Sequence, residues 1–270
     1  MSQGLRKMWA RSSKLAFAVM LFVASSARAQ EIRVAAAADL RFALSELAVN
    51  YEKHAGTKVN VTYGSSGNFF AQIQNGAPFD LFFSADLEYP RKLEATGLAE
   101  SGTLFEYARG RIVIWARRDA PIDVAAQGWN ALLSSDVQKI AIANPALAPY
   151  GRAAVAALEK AGILEQVKSK FVYGENISQA AQFVQFGNAQ AGIVSLSLAL
   201  SPAMKGGNRW EIPADMHPAI EQGAVLLKSA THKPQARAFL EYIKTAGARA
   251  TLEKFGFMIP EPALSPAGKP

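Results

Sequence analysis

The run Gly64-Ser65-Ser66-Gly67-Asn68 places two hydroxyl groups between two glycines, after a strand-like segment at residues 58–63 and before a helix-like one at residues 69–74. The first turn of a helix has N–H groups without partners in the helix and carries the positive end of the helix dipole. Glycine has no Cβ, so a ligand can approach the backbone closely. The loop could therefore bind an anion without any cation, although serine and glycine before a helix are also ordinary N-cap residues.

Residues 1–29 have the pattern of a cleavable signal peptide. Basic residues precede an apolar stretch at 15–23 that is too short to span a bilayer, and Ala27-Arg28-Ala29 matches an A-x-A cleavage site. We therefore expect cleavage near Ala29 and an exported chain that begins at Gln30. Removing the five basic residues of this segment lowers the formal net charge from +7 to +2. So small a charge gives no support to binding of nucleic acid or of a membrane surface.

The residue types that most often hold metals are scarce. The chain contains no cysteine, which excludes disulfides, thiolate metal sites and attachment of a lipid through cysteine. His54, His217 and His232 are scattered without metal-site spacing. The sequence motifs of P-loops, α/β-hydrolases and zinc proteases are missing from the sequence. We expect no cofactor.

Strand-like and helix-like segments alternate along the exported chain, which favours an α/β fold with mixed, mostly parallel sheets. The number of segments fits two lobes of about 100–120 residues each. Ligands of such folds bind at the carboxyl ends of parallel strands. Residues 36–39, 64–67, 149–151 and 174–177 are loop-to-helix junctions suited to that position. Together they would bind a small dianion.

One stretch resembles a known family. Gly64-Ser65-Ser66-Gly67 is followed by Ala71-Gln72-Ile73, by Asn75-Gly76-Ala77-Pro78 and by the run from Asp80 to Asp86, Asp-Leu-Phe-Phe-Ser-Ala-Asp. This pattern resembles the periplasmic molybdate-binding proteins of ABC importers, with supporting matches at residues 35–40, 144–151 and 242–257. The resemblance spans the exported chain with compatible spacing.

The resemblance implies a type II periplasmic-binding-protein fold, in which two α/β lobes are joined by two crossover strands and close over a ligand. We expect the crossovers near residues 108–115 and 221–227. The expected divisions are a signal peptide at 1–29, lobe I at 30–110 plus 224–270, and lobe II at 111–223.

The resemblance also implies a function. The chain would be a monomeric periplasmic receptor that captures molybdate or tungstate and delivers it to the permease of an ABC importer. It would not be an enzyme, and molybdenum or tungsten would enter only as the bound oxyanion. The family uses neutral donors, so ligand size rather than charge would exclude sulfate. The matching positions in this sequence are Ala38, Asp39, Ser66, Tyr150 and Ile177, with Ser195 where some members have tyrosine.

Two of these positions depart from the family's pattern. Asp39 stands where several relatives have serine or asparagine, and an ionised carboxylate would repel a dianion at short range. We therefore predict that the Asp39 side chain turns away, caps its own helix and leaves only its backbone N–H for the ligand. Ser195 would offer the ligand a hydroxyl donor of shorter reach than that of tyrosine, or no donor at all.

Other functions remain open from the residues alone. The same fold could bind another oxyanion, such as sulfate or phosphate. An enzyme could use Asp80, Asp86, Tyr173 and Glu175 as acid–base groups, but no nucleophile–base pair or metal cluster accompanies them. We interpret Asp86 as a helix cap or a hydrogen-bond partner between the lobes. A purely structural exported protein would leave the donor loops unexplained.

Overall fold

The computed structural model describes residues 31–260. The signal peptide predicted at residues 1–29 lies outside the described residues. The strands are β1 (Glu31–Ala37), β2 (Lys58–Gly64), β3 (Leu81–Ser84), β4 (Phe105–Gly110), β5 (Ile112–Ala116), β6 (Ile140–Ala143), β7 (Phe171–Gly174), β8 (Ala191–Ser195), β9 (Asn208–Glu211) and β10 (Ile220–Leu226). The α-helices are α1 (Arg41–Ala55), α2 (Ser66–Gln74), α3 (Glu88–Ala95), α4 (Val124–Gln127), α5 (Asn130–Leu133), α6 (Pro149–Lys160), α7 (Leu164–Val167), α8 (Ile177–Gln185), α9 (Leu196–Ala199), α10 (Lys233–Ile243) and α11 (Ala246–Lys254).

The strands form two mixed sheets, each covered by helices. Sheet A has the order β2-β1-β3-β10-β4, and sheet B has the order β7-β6-β8-β5-β9. In sheet A, β1 pairs in parallel with β2 and β3, whereas β10 is antiparallel to β3 and β4. Sheet B repeats this scheme, with β6 parallel to β7 and β8, and β5 antiparallel to β8 and β9. The two sheets and their helices confirm the predicted α/β class.

Helix α1 shows how the sequence pattern produces these layers. Its buried residues Leu44, Leu47 and Tyr51 recur with helical spacing and so face the core on sheet A. Tyr51 packs edge-to-face on Phe239 of α10, with ring centroids 5.0 Å apart. The helix ends at Gly56, whose φ of 65° is the left-handed conformation that glycine adopts without strain.

The chain passes between the sheets at Arg111. Strand β4 ends in sheet A at Gly110, and β5 begins in sheet B at Ile112. The sequence predicts a single crossover there, at residues 108–115, and it does not predict β4 as a separate strand. The chain returns to sheet A at β10, after β9. We refer to the elements packed on sheet A and on sheet B as the first and second lobes; their residue boundaries stay the sequence-based prediction.

Asp80 joins three parts of the first lobe and is fully buried. Its Oδ2 accepts a hydrogen bond from the N–H of Arg33 in β1 at 2.7 Å, and its Oδ1 accepts one from the N–H of Thr231 at 2.8 Å. Its backbone C=O also accepts from the N–H of Leu227, just after β10, at 2.9 Å. The carboxylate and the backbone of Asp80 therefore hold the segment that follows β10 against β1.

We expect Asp80→Ala to lower the free energy of unfolding by about 2–3 kcal/mol, because two amide N–H groups lose a charged acceptor. Asp80→Asn should cost less, since one oxygen acceptor remains. Urea unfolding followed by circular dichroism measures both losses. The control is Asp136→Ala, at an exposed position, which should stay within about 0.5 kcal/mol of the unmodified chain. Equal losses at the two positions would contradict this role for Asp80.

Candidate functional site

A cavity lies where the two lobes meet, and five of the six predicted site residues line it: Ala38, Asp39, Ser66, Tyr150 and Ile177. The remaining lining residues are Ala37, Gly64, Ser65, Ala148 and Pro149, from the same loops and helix starts, and Ala85, which follows β3. Within the described part of the chain, no lysine, arginine or histidine lines this cavity. Its chemistry is therefore that of hydroxyl groups, backbone amides and a single carboxyl group.

The Ser65–Ser66 pair divides two tasks. Ser65 is the N-cap of α2, because its Oγ accepts a hydrogen bond from the N–H of Asn68 at 3.3 Å. The Oγ of Ser66 accepts a hydrogen bond from the N–H of Ala85 at 2.9 Å. This bond uses a lone pair and leaves the hydroxyl hydrogen of Ser66 available for donation. Both serines are buried, so a ligand in the cavity would meet them without competing bulk water.

Two helices of the second lobe begin at the cavity. Tyr150 is the second residue of α6, after Pro149, and Ile177 is the first residue of α8. First-turn N–H groups have no acceptor within their own helix, and the helix dipole favours negative charge beside them. Gly151 brings α6 close, since a Cβ there would lie 2.2 Å from the C=O of Ala143 at the end of β6. Backbone donors therefore approach the cavity from this lobe.

The lobes are in contact around the cavity. The N–H of Gly67 donates to the C=O of Leu147 across the cleft at 2.9 Å. The side chain of Asn68 donates to Glu175 Oε1 at 2.7 Å. A Cβ at position 67 would lie 2.7 Å from the same Leu147 oxygen, so glycine is required for this approach. The structure is thus a closed arrangement of the two lobes.

Asp39 does not act as predicted. The cap residue of the short 3-10 turn at Ala38–Leu40 is Ala37 and that of α1 is Leu40, so Asp39 occupies neither cap position. Instead Oδ2 accepts hydrogen bonds from the hydroxyl of Tyr150 at 2.9 Å and from the amide of Gln222 at 2.8 Å. The prediction of a helix cap is wrong because two donors from outside the helix, one on each lobe, reach the carboxyl group.

The surroundings of Asp39 disfavour its charge. The residue is 1% exposed, and burial raises its pKa from the ordinary value of 3.8 to about 6, although hydrogen bonds from Gln222 and Tyr150 act in the opposite direction. The backbone N–H groups of Asp39 and Leu40 also lower this pKa. Even so, Oδ1 makes no hydrogen bond to any atom of residues 31–260. Oδ2 thus has two side-chain donors, whereas Oδ1 has no side-chain donor among the described residues.

Ser195 is not brought to the cavity. It is fully buried at the end of β8, where its Oγ caps α9 by accepting from the N–H of Leu198. The serine that reaches the site region is Ser197, whose hydroxyl donates to the C=O of Asp39 at 2.9 Å. Ser178 of α8 likewise donates to the C=O of Ala38 at 3.0 Å. No local sequence pattern marks Ser178, Ser197 or Gln222, because their contacts join segments that are distant in the chain.

The residues considered for an enzyme do not form one centre. Asp80 serves the first lobe, and Tyr173 and Glu175 are exposed. Asp86 accepts from the N–H of Tyr89 at 3.0 Å and from Arg152 of the second lobe at 2.6 Å, which confirms both parts of its interpretation as a helix cap and an interlobe partner. Over residues 31–260 there is no group of three or more acidic, histidine or cysteine side chains that could hold a metal ion.

Comparison with known proteins gives consistent matches. The family model described as bacterial extracellular solute-binding protein matches residues 32–258. The molybdate-binding protein ModA of Azotobacter vinelandii is 40% identical over 237 residues, covering 87% of this chain and 92% of that protein. ModA of Rhodobacter capsulatus is 36% identical over 248 residues, covering 92% and 96%. The solved periplasmic molybdate-binding protein of A. vinelandii superposes with a TM-score of 0.80 and 34% identity, covering 85% of this chain and 100% of that one.

The raised pKa of Asp39 predicts a distinctive pH profile of stability. Between the unfolded value of 3.8 and the folded value of about 6, the folded chain holds a proton that the unfolded chain has lost. Its free energy of unfolding therefore falls as the pH rises through this window. Asp39→Asn removes this titration. From pH 4 to pH 7, the free energy of unfolding of the variant should therefore rise relative to that of the unmodified chain by up to about 3 kcal/mol.

Denaturant unfolding at a series of pH values measures this difference. Asp136→Asn, which removes an exposed carboxylate, is the control and should follow the unmodified chain. Parallel pH profiles for Asp39→Asn and the unmodified chain would show that the Asp39 carboxyl is solvated as in an unfolded chain.

Proposed function

The chain belongs to the family of bacterial extracellular solute-binding proteins, and we propose from this premise that it captures molybdate or tungstate and delivers it to an ABC importer. The resemblance found in the sequence is confirmed, and the relatives are named as binding proteins rather than enzymes. One observation carries the proposal. Neutral donors from both lobes converge on a cavity that no lysine, arginine or histidine of residues 31–260 lines.

We assign the donors by position. The hydroxyl hydrogen of Ser66 and the first-turn N–H groups of Tyr150 and Ile177 contact the oxyanion, together with the backbone N–H groups of the turn at Ala38 and Asp39. Charged donors would attract any dianion, sulfate and phosphate included. Fixed neutral donors instead make the size of the anion decisive, because the lobes reach full contact around one size only. Molybdate and tungstate are nearly equal in size, so this site should bind both.

The cellular setting follows from the same proposal. Residues 1–29 direct export, and the released chain acts as a monomer in the periplasm. The description of one solved relative as a periplasmic protein supports this location. None of the helices within residues 31–260 is both long and apolar enough to cross a membrane. The permease of the importer is the expected partner, and closure of the lobes gives it a means to distinguish loaded from empty receptor.

Hydrogen phosphate is a second candidate, and one observation favours it. Asp39 Oδ1 lacks a hydrogen-bond donor among the residues the structure describes. An ionised Asp39 could accept the proton of a ligand that carries its own hydroxyl. Molybdate at neutral pH has no such proton, so the two candidates require opposite protonation states of Asp39.

Calorimetric titration of the ligand-free exported chain tests the proposal. We expect one-to-one binding of molybdate and tungstate with similar affinity, and no heat from sulfate or phosphate at physiological salt. Heat from phosphate alone would instead support the second candidate. Absence of binding by all four anions would overturn both.

Variants on each side of the cleft make this test specific to the site. Ser66→Ala should weaken molybdate binding about 10- to 100-fold, the loss expected for one hydrogen bond to a charged ligand. Gly67→Ala should weaken it at least tenfold without loss of the fold, because its Cβ meets Leu147 of the other lobe only when the cleft closes. The control is Gly247→Ala, where a Cβ would have no neighbour within 4 Å. An unchanged affinity for Gly67→Ala would contradict closure by this contact.

A further inference from the structure

Asp39 belongs to a buried cluster that joins both lobes. We define the Asp39 cluster as Asp39, Tyr107 of β4, Tyr150 of α6 and Gln222 of β10. All four residues are at most 3% exposed. The hydroxyl of Tyr107 donates to Gln222 Oε1 at 2.7 Å, and this bond orients the amide so that Nε2 donates to Asp39 Oδ2. The cluster thus holds one carboxyl oxygen in a fixed position.

The backbone around the cluster is shaped to accommodate it. The pairing of β10 with β4 changes register between Gln222 and Gly223, and such an irregularity re-aims a side chain. At Gly110, a Cβ would lie 2.2 Å from the hydroxyl of Tyr150 and 2.8 Å from Gln222 Nε2. Only glycine leaves room there for the two donors, so the ends of the crossover strands are fitted to the carboxyl group of Asp39.

The two oxygens of the Asp39 carboxyl group differ in their hydrogen-bond partners, and this difference indicates which oxygen would carry a proton. Oδ2 accepts from both Tyr150 and Gln222. Oδ1 belongs to a residue that lines the anion cavity and has no partner in residues 31–260. An ionised group would leave a charged oxygen unpaired in a buried site, next to a dianion. A protonated group would present an O–H donor there, like the hydroxyl of Ser66.

We propose, on the basis of the proposed function, that Asp39 takes up one proton when the cleft closes on molybdate and donates it from Oδ1 to the anion. The proton comes from solvent, and no bond of the ligand is formed or broken. Capture of the dianion would therefore be coupled to proton uptake. Asp39 would set the pH range over which the receptor binds.

The other groups around Asp39 do not compete for this proton. Burial raises the pKa of Tyr107 and of Tyr150 well above 10, and the negative charge of Asp39 raises both further, so each phenol stays protonated. Asp86 also faces Tyr107 but is paired with Arg152 at 2.6 Å. The groups that reach the turn from α8 and α9, Ser178 and Ser197, do not titrate.

The raised pKa of Asp39 also favours proton uptake when the anion binds. In the closed structure burial raises it to about 6, and a neighbouring dianion would raise it further because charge repulsion disfavours a second anion. At pH 8 the ligand-free chain is therefore mostly ionised at Asp39, and the loaded chain is protonated. Under this linkage the association constant for molybdate falls about tenfold per pH unit above the pKa of the ligand-free chain.

The test is titration of the exported chain with molybdate in buffers of different ionisation enthalpy, from about pH 5.5 to about pH 8.5. With a pKa of about 6 for Asp39, proton uptake per molybdate should rise from about one quarter at the acidic end to near one at the basic end, and tungstate should behave alike. Asp39→Asn should bind with no proton uptake, with a flat pH profile, and at least tenfold more tightly than the unmodified chain at pH 8.5. Asp136→Asn, at an exposed position away from the cavity lining, is the control and should keep the full uptake.

The outcomes separate this inference from the proposed function. Tight molybdate binding by the unmodified chain without proton uptake at pH 8.5 would overturn the role of Asp39 and leave the function intact. This measurement needs no variant, so it holds even if Asp39→Asn fails to fold. Binding of phosphate at pH 8.5 without proton uptake, and with no binding of molybdate, would overturn both, because Asp39 would then act as an ionised acceptor.

Discussion

One electrostatic constraint governs the site: an anion must be held in a cavity that no lysine, arginine or histidine of residues 31–260 lines. Attraction must then come from hydroxyl hydrogens, backbone N–H groups and helix dipoles, each weak when solvated and stronger when buried. The loop at Ser65 and Ser66 supplies such donors from the first lobe, and the starts of α6 and α8 supply them from the second. Neither lobe alone surrounds a ligand, so selectivity requires both lobes to meet in one arrangement.

Closure is stabilised by contacts outside the cavity as well. Gly67 bonds to Leu147 across the cleft, and Arg152 pairs with Asp86. These contacts are formed by partly exposed or backbone groups whose strength in water is small. They can therefore favour the closed arrangement without holding it shut, and the ligand contributes the remaining free energy. Asp39, which bonds to both lobes, connects this closure to the chemistry of the cavity.

Much of the site could be predicted because its parts are local. The glycine–serine loop before α2, the proline at the start of α6 and the asparagine before α8 are all visible as short patterns. The side chain of Asp39 could not be predicted, since its partners Tyr150 and Gln222 lie 111 and 183 residues further along the chain. Strand β9 was missed because its four residues lie among prolines and glycines and alternate only between exposed and half-buried. Long-range pairing, rather than local propensity, decides these features.

The most direct test of the account is a crystal structure of the exported chain with molybdate, with the molybdenum located by anomalous scattering. The account predicts one molybdenum peak between the Ser66 hydroxyl and the N–H groups of Tyr150 and Ile177, with no lysine or arginine nitrogen in hydrogen-bond contact with the anion. A second cavity, lined in part by Arg109, Arg111 and His217, is the place where cationic side chains would hold an anion. A molybdenum peak there, with the central cavity lacking one, would contradict capture by neutral donors.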